Sequence, residues 1–150
     1  MTLVTRPSVS TTKPEGGVPS GGREPETQSH GAIEGTISTE FVQLLKEHGG
    51  RGPTKCRTYF DDDLIIVLYR GGYNRMEDTL FEDGKWLDVR SARHVFQDTM
   101  EGRFTEVIER LTGREVAAFM SASHQGPDLQ IEAFVLDGGS VPQGAPGPPA

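Results

Sequence analysis

The aromatic residues are confined to the middle of the chain, which restricts where a hydrophobic core can form. One Trp, three Tyr and seven Phe residues all lie between positions 33 and 137 of the 150 residues. Residues 1–32 and 138–150 are instead rich in Gly, Pro, Ser and Thr. Such segments bury too little apolar surface to offset the loss of chain entropy. We therefore predict a disordered leader over 1–32, one folded domain over 33–137 and a disordered tail over 138–150.

The net charge of −7 also belongs to the middle segment, because the charges of 1–32 cancel and 138–150 carries none. A negative domain repels phosphate backbones and anionic lipids, so binding to nucleic acid and to membrane surfaces is disfavoured. The longest apolar run, Leu64–Tyr69, is too short to span a bilayer. The N-terminus lacks the apolar core of a secretory signal, and Cys56 has no second cysteine to pair with. The composition predicts a soluble cytoplasmic protein with no direct membrane insertion and no cofactor.

Periodicity and turn residues divide the middle segment into elements in the order α-ββ-α-α-ββ. The continuous apolar run Leu64–Arg70 predicts a strand that is covered on both faces. The order indicates an α+β fold in which two β-hairpins form one four-stranded sheet packed against helices, one of them long. The predicted elements are a helix from Ile37, capped by Ser38, to the Gly49–Gly50 pair, strands over 54–60 and 64–70, helices over 74–83 and 86–111, and strands over 115–121 and 129–136.

The long predicted helix has an apolar stripe that one charge interrupts. Val89, Ala92 and Phe96 begin a series at three- and four-residue steps that continues to Leu111. Arg93 falls within this stripe, where a charge is costly unless it is paired or lies at an interface. Two interpretations stay open. Either Arg93 extends past the sheet edge to solvent, or it forms a basic patch with its neighbours for an acidic partner or an anion.

Sequence motifs for phosphate loops, dinucleotide binding, zinc proteases and serine hydrolases are absent from the chain. Cys56 lies within a predicted strand and points away from its two basic neighbours, which favours a structural role. Asp61–Asp63 is expected to be a solvated turn rather than a cation site. His94 and His124 could meet beside Asp128 as a metal or acid–base cluster, but their spacing does not require it. We therefore predict no catalytic and no metal-binding residues.

Blocks of residues distributed over the middle segment resemble a known family. The blocks are Gly52–Tyr59, Asp62–Val67, Gly71–Gly72, Leu80–Gly84, Val89–Arg90, Arg93–Gln97, Leu111–Ser121, His124, Pro127–Asp128 and Phe134–Leu136. Together they are similar to the MpsC family, named after a component of a Na+-translocating, membrane-potential-generating system. The resemblance implies a soluble partner of a cation-moving membrane complex, with a link to inorganic-carbon supply, and carries over no catalytic residue. It does not extend to 1–32, and Tyr73–Met76 departs from the family's usual helix start.

Two functional hypotheses follow from the residues and the resemblance. The first is a non-enzymatic, cytoplasmic MpsC-like accessory protein that acts through protein–protein contacts with a membrane cation-translocating complex. The alternative is a small-ligand or anion-binding domain, with or without weak enzymatic activity, whose basic side chains converge on one pocket. The candidate partner- or anion-binding residues are Arg57, Arg90, Arg93, His94, His124 and Asp128. The negative net charge disfavours a role as a nucleic-acid-binding regulator. A homodimer that forms through the edge strands is compatible with the predicted fold.

Overall fold

The computed structural model describes residues 25–138, and the side chains from residue 30 onward. Within this range the strands form one antiparallel sheet in the order β1-β2-β4-β3, with helices on it. The predicted α+β fold is therefore confirmed. Residues 1–24 and 139–150, which include most of the predicted leader and tail, lie outside the described residues. The elements are α1 Pro25–Gly49, β1 Lys55–Asp61, β2 Leu64–Arg70, α2 Arg75–Glu82, α3 Trp86–Thr112, β3 Val116–His124 and β4 Leu129–Leu136.

Two hairpins make up the sheet, and they join through their inner strands. β1 and β2 pair from Lys55 opposite Arg70 to Asp61 opposite Leu64. This register leaves a two-residue turn in which Asp62 has a φ of 52°. Asp tolerates the left-handed conformation that such a tight turn requires. β3 pairs with β4, and β4 pairs with β2, so β1 and β3 are the edge strands.

Helices α1 and α3 pack on one face of the sheet and leave the other face, called here the open face, uncovered by the described residues. Alternate residues of a strand point to opposite faces, and the fully buried ones all point to the helices. There Phe41 stacks on Phe104 with 4.6 Å between ring centroids and meets Phe134 edge-on at 6.0 Å. On the open face Leu64 is exposed and Ile66 is only half-buried. The prediction that β2 is covered on both faces is thus wrong within the described residues.

The first helix starts earlier than the sequence pattern predicts. α1 begins at Pro25 rather than at Ile37, so it includes residues 25–32 of the predicted leader. The predicted cap, Ser38, lies inside the helix, and its hydroxyl hydrogen-bonds the hydroxyl of Thr58 on β1 at 2.8 Å. The helix ends where predicted, because Gly50 adopts a φ of 80° that favours glycine and stops the helix.

The buried side of α3 differs from the predicted apolar stripe at its N-terminal half. Ala92 is exposed, whereas the polar residue Gln97 is buried beside Arg93. The C-terminal half follows the prediction, and the helix ends at Gly113, whose φ of 70° forms a left-handed cap. The fully buried residues of α3 are Val89, Arg93, Gln97, Met100, Phe104, Val107 and Ile108. Because α3 packs polar side chains against the sheet, these side chains need polar partners on the strands. The buried polar contacts between α3 and the sheet form the candidate functional site.

Candidate functional site

Arg93 is buried at the junction of α2, α3 and the turn between β3 and β4. Its Nε donates to Glu77 Oε1 at 2.9 Å, and its Nη1 donates to Asp128 Oδ1. Its guanidinium carbon lies 4.1 Å from the centroid of the Tyr73 ring, within cation–π distance. Only 4% of Arg93 is exposed. Both interpretations left open by the sequence are therefore wrong, because the side chain is neither extended to solvent nor displayed as a basic patch.

The start of α2 explains why Glu77 is in place to bind Arg93. Asn74 and Glu77 form a capping box, in which each side chain accepts a hydrogen bond from the other's backbone N–H at 2.9 Å. One carboxylate oxygen of Glu77 closes the box, and the other binds Arg93. The departure from the family's usual helix start thus coincides with a well-defined cap. The contact of Glu77 with Arg93 fixes α2 to α3, and the contact of Arg93 with Asp128 fixes α3 to the end of the sheet.

A row of buried polar side chains continues from this ion pair along the interface of α3 and the sheet. The amide of Gln97 donates to Gln130 Oε1 at 3.1 Å and to Glu132 Oε1 at 3.0 Å. Tyr69 donates its hydroxyl proton to Glu132 Oε1 at 2.7 Å. The second carboxylate oxygen, Oε2, and the Ser121 hydroxyl have no hydrogen-bond partner among the described residues.

Glu132 is therefore an acid that is closed off from solvent among buried polar side chains. It is 0% exposed. Burial raises the pKa of Glu132 from 4.5 to about 7, although the hydrogen bonds from Tyr69 and Gln97 oppose the shift. The pKa of Tyr69 is also raised, first by burial and then by the nearby Glu132 carboxylate. Of these two groups, Glu132 is therefore the one that changes its protonation state near neutral pH.

A cavity of about 240 Å³ lies beside Arg93 among α1, α2, α3 and the sheet. Its walls are mostly apolar, and its polar lining includes His48, Arg51 and Gln130. Small-molecule sites usually enclose about 300–1,000 Å³. The N–H groups of Arg93 that point inward are already bound to its two carboxylate partners. The cavity therefore lacks a free cationic donor from Arg93 to bind an anion.

The six candidate residues do not share one pocket. Arg93 and Asp128 form the buried ion pair. His94, the next residue of α3, is exposed and lies 3.6 Å from the Asp98 carboxylate. Arg57 lies on the open face of β1, 5.1 Å from the Tyr59 ring centroid. This scatter removes the geometric basis for a single pocket formed by these six residues.

Arg90 and His124, the remaining two candidates, meet at a shallow surface groove between the α2–α3 junction and the β3–β4 turn. Phe81 and Trp86 form its apolar wall. The Phe81 ring packs over Gly126, where an added Cβ would lie 3.3 Å from the ring. His124 fixes the turn, because its Nδ1 is hydrogen-bonded to Pro127 O at 2.8 Å. The groove thus combines a cation with aromatic surface.

Sequence reasoning missed Glu77, Gln97, Trp86 and Glu132. One signal for Glu132 was available, because alternation along β4 places it on the same face as the core residue Phe134. The Asn74–Glu77 spacing is a local signal for the helix cap, but it does not indicate the contact of Glu77 with Arg93, which is 16 residues away in the chain. Trp86, the single tryptophan, lies at the start of α3 and is 44% exposed.

Two further observations limit the chemistry of the described residues. Cys56 is half-buried, and burial raises its pKa to about 11, so the reactive thiolate is disfavoured at neutral pH. Among residues 25–138, no helix has the length and apolar character that crossing a membrane requires.

Comparison with known proteins adds the family. A family model described as "Na+-translocating membrane potential-generating system (MpsC)" matches residues 29–138. Searches of curated proteins and of solved structures give no match. The matched range spans the helices and the sheet from the first part of α1 to the end of β4. The resemblance seen in the sequence blocks is confirmed, and the chain belongs to the MpsC family.

Proposed function

We propose that this protein is a non-enzymatic, cytoplasmic accessory component of a Na+-translocating, membrane-potential-generating system. It acts by binding a membrane subunit of that system. Family membership supports the assignment to the system. The groove beside Trp86 and Arg90 is the observation that carries the contact role.

The groove has the composition of a protein contact site. Trp86 is 44% exposed and the neighbouring Leu87 is 59% exposed, so a large apolar surface faces solvent at the start of α3. Arg90 makes no ion pair with any described residue. Trp and Arg are the residue types that contribute most to binding at interfaces. A partner segment with an apolar side chain next to a carboxylate would fit this surface.

The ion pair below the groove holds its two walls together. Arg93 is one helical turn from Arg90, and it binds Asp128 at the end of the β3–β4 turn. α3 and the turn are therefore fixed to each other beneath the exposed residues. Preorganisation of this kind lowers the ordering cost of binding. The role of Arg93 in this proposal is structural, and contact with the partner falls to the exposed residues.

Site-specific crosslinking tests the groove. A photoreactive amino acid is placed at Leu87, next to the groove residue Trp86, in the full chain and in its native cells, with the same substitution at Val95 as a control. Both positions are exposed on α3, at 59% and 63%. We expect Leu87, but not Val95, to give an adduct with a membrane subunit of a cation-translocating system, identified by mass spectrometry. Equal labelling from both positions, or no such adduct, would refute the groove as the contact.

Charge reversal tests the function. Deletion of the gene is expected to lower the membrane potential, and Arg90→Glu should reproduce that loss. Arg103→Glu is the matched control, because Arg103 is also exposed on α3 but does not line the groove. If deletion leaves the potential unchanged, the proposed function is wrong. If deletion lowers it but Arg90→Glu does not, the groove is not the site.

A further inference from the structure

The open face of the sheet is apolar where a solvent-facing surface should be polar. β4 shows this most clearly, because its helix-facing positions include the polar residues Gln130 and Glu132, whereas Ile131, Ala133 and Val135 point to the open face. An antiparallel sheet with one solvated face normally has the opposite pattern. Apolar residues of β2 also reach this face, and a continuous apolar strand is typical of a sheet covered on both sides. Something outside the described residues is therefore expected to cover it.

Charges on the open face are separated along the strands. The register aligns the face in rows across the sheet. Lys55 and Arg70 lie opposite each other in the row at one end, and Asp61 and Leu64 lie opposite each other in the row at the other end. The rows between them are apolar except for Arg57, which lies beside Tyr59. One end is thus basic, the other acidic, and the centre apolar.

We propose that a second copy of this chain covers the open face, with its strands antiparallel to those of the first. A two-fold axis across the strands places each row over the row at the opposite end of the partner. Lys55 then meets the partner's Asp61, and Arg57 meets the partner's Tyr59. In the middle rows, the Ile131 side chain meets the smaller side chain of the partner's Ala133. The face is therefore complementary to itself, as a two-fold interface requires.

The charge pattern favours a second copy over a lipid surface. An anionic membrane would repel the acidic end of the face and a chain whose net charge is −7. A second copy instead places the carboxylate of Asp61 opposite Lys55 at both ends of the interface. Sheets that pack face to face are about 10 Å apart and nearly aligned, which leaves room for one layer of side chains from each copy.

The size of the face is in the lower range of dimer interfaces. Four strands about 4.8 Å apart, with about 3.4 Å per residue over seven paired residues, give a projected area of about 450 Å². Each partner in a standard interface buries about 800 Å² of accessible surface, which also counts the relief of the side chains. The face therefore supplies an interface at the small end of stable dimers. Among its residues Tyr59 is 45% exposed and Met120 is 55% exposed, so both have surface to bury.

Sedimentation equilibrium of the full chain over a range of concentrations tests the dimer. Met120→Glu places a charge in a middle row of the interface, on the edge strand β3, and Val95→Glu adds the same charge at a similarly exposed site on α3. Neither position is buried, so both variants should fold. We expect a dimer whose Kd rises at least about tenfold in Met120→Glu, the change produced by about 1.4 kcal/mol of binding free energy. Val95→Glu should leave the Kd unchanged.

A charge swap tests the orientation. Lys55→Glu and Asp61→Lys should each raise the Kd, because each places like charges opposite one another. The double variant should restore the wild-type Kd, because the two charges have exchanged places across the interface. A monomer at all concentrations, equal effects of Met120→Glu and Val95→Glu, or a double variant as weak as either single one would overturn the proposal. These measurements need no membrane partner, so they are independent of the proposed function.

Discussion

Replacement of Glu132 by glutamine is expected to remove a pH dependence from the stability of the domain. The pKa of the buried carboxyl rises from 4.5 to about 7 on folding. Because the folded state holds the proton more tightly, this group favours folding most below its unfolded pKa, and the benefit is lost as the pH rises through the folded pKa. A rise of the Glu132 pKa from 4.5 to about 7 corresponds to about 3 kcal/mol in full, most of it lost between about pH 5 and about pH 7.

Glutamine should remove this loss without breaking the buried hydrogen bonds. Its amide oxygen can accept from Tyr69 and Gln97 as the carboxylate does. Its NH2 group can donate to Ser121, which lies opposite Glu132 in the sheet and has a hydroxyl without a partner among the described residues. The variant should therefore match the wild type near pH 5. At about pH 8 it should be more stable by about 3 kcal/mol.

Urea unfolding followed by circular dichroism, at a series of pH values and one protein concentration, measures the effect. A constant concentration is needed because association also contributes to apparent stability. Glu101→Gln is the control, since Glu101 is an exposed glutamate on α3. Its free energy of unfolding should follow the wild-type pH profile. The reasoning is refuted if the wild type and Glu132→Gln give parallel profiles, or if the variant is the less stable protein above neutral pH.

Two further predictions concern stability, and both are measured by urea unfolding. Arg93→Ala should lower the free energy of unfolding by about 3–5 kcal/mol, because Glu77 and Asp128 lose their shared cation in a nearly closed site. A loss below about 1 kcal/mol would contradict this, because it would mean that water replaces the guanidinium. Gly113→Ala should lower the free energy of unfolding by about 1 kcal/mol, because the φ of Gly113 is 70°. Gly102→Ala within α3 should raise it by about 0.5–1 kcal/mol. Sterics do not distinguish the two, since neither added Cβ would meet an atom within 4 Å. Equal effects at the two glycines would contradict the conformational explanation.

The sequence predicts the elements well where local signals and tertiary packing agree. The bounds of β2 and β4 are correct, because turn residues flank both strands. The start of α1 is missed because its first turns have no apolar stripe. The contacts that accompany this part of the helix lie far along the chain. Glu34 accepts from the Phe60 N–H at 2.7 Å, and His30 stacks on the Phe60 ring at 4.4 Å. Helix propensity alone cannot indicate such contacts.

The candidate site was only partly accessible from the sequence for a similar reason. A charge within an apolar stripe correctly marks Arg93 as unusual, and Asp128 was among the candidates. The pattern does not reveal that the two pair, because the distance between them is set by how α3 packs on the sheet. Gln97 shows the same limit, since its burial depends on Glu132 and Gln130 across the interface. Pairing of buried polar groups is a tertiary property.

The two proposed surfaces fit together in one assembly. The groove residue His124 lies at the end of β3 opposite Leu129, in the same row as Lys55 and Arg70. A dimer with reversed rows places this row at opposite ends of the two copies, so the two grooves lie at opposite ends of the dimer. Two grooves on one body allow bivalent binding to a membrane complex, which strengthens attachment without new contacts. In this arrangement the open face binds a second copy of the chain, and the groove beside Trp86 binds the membrane complex. The two surfaces therefore do not compete for one partner.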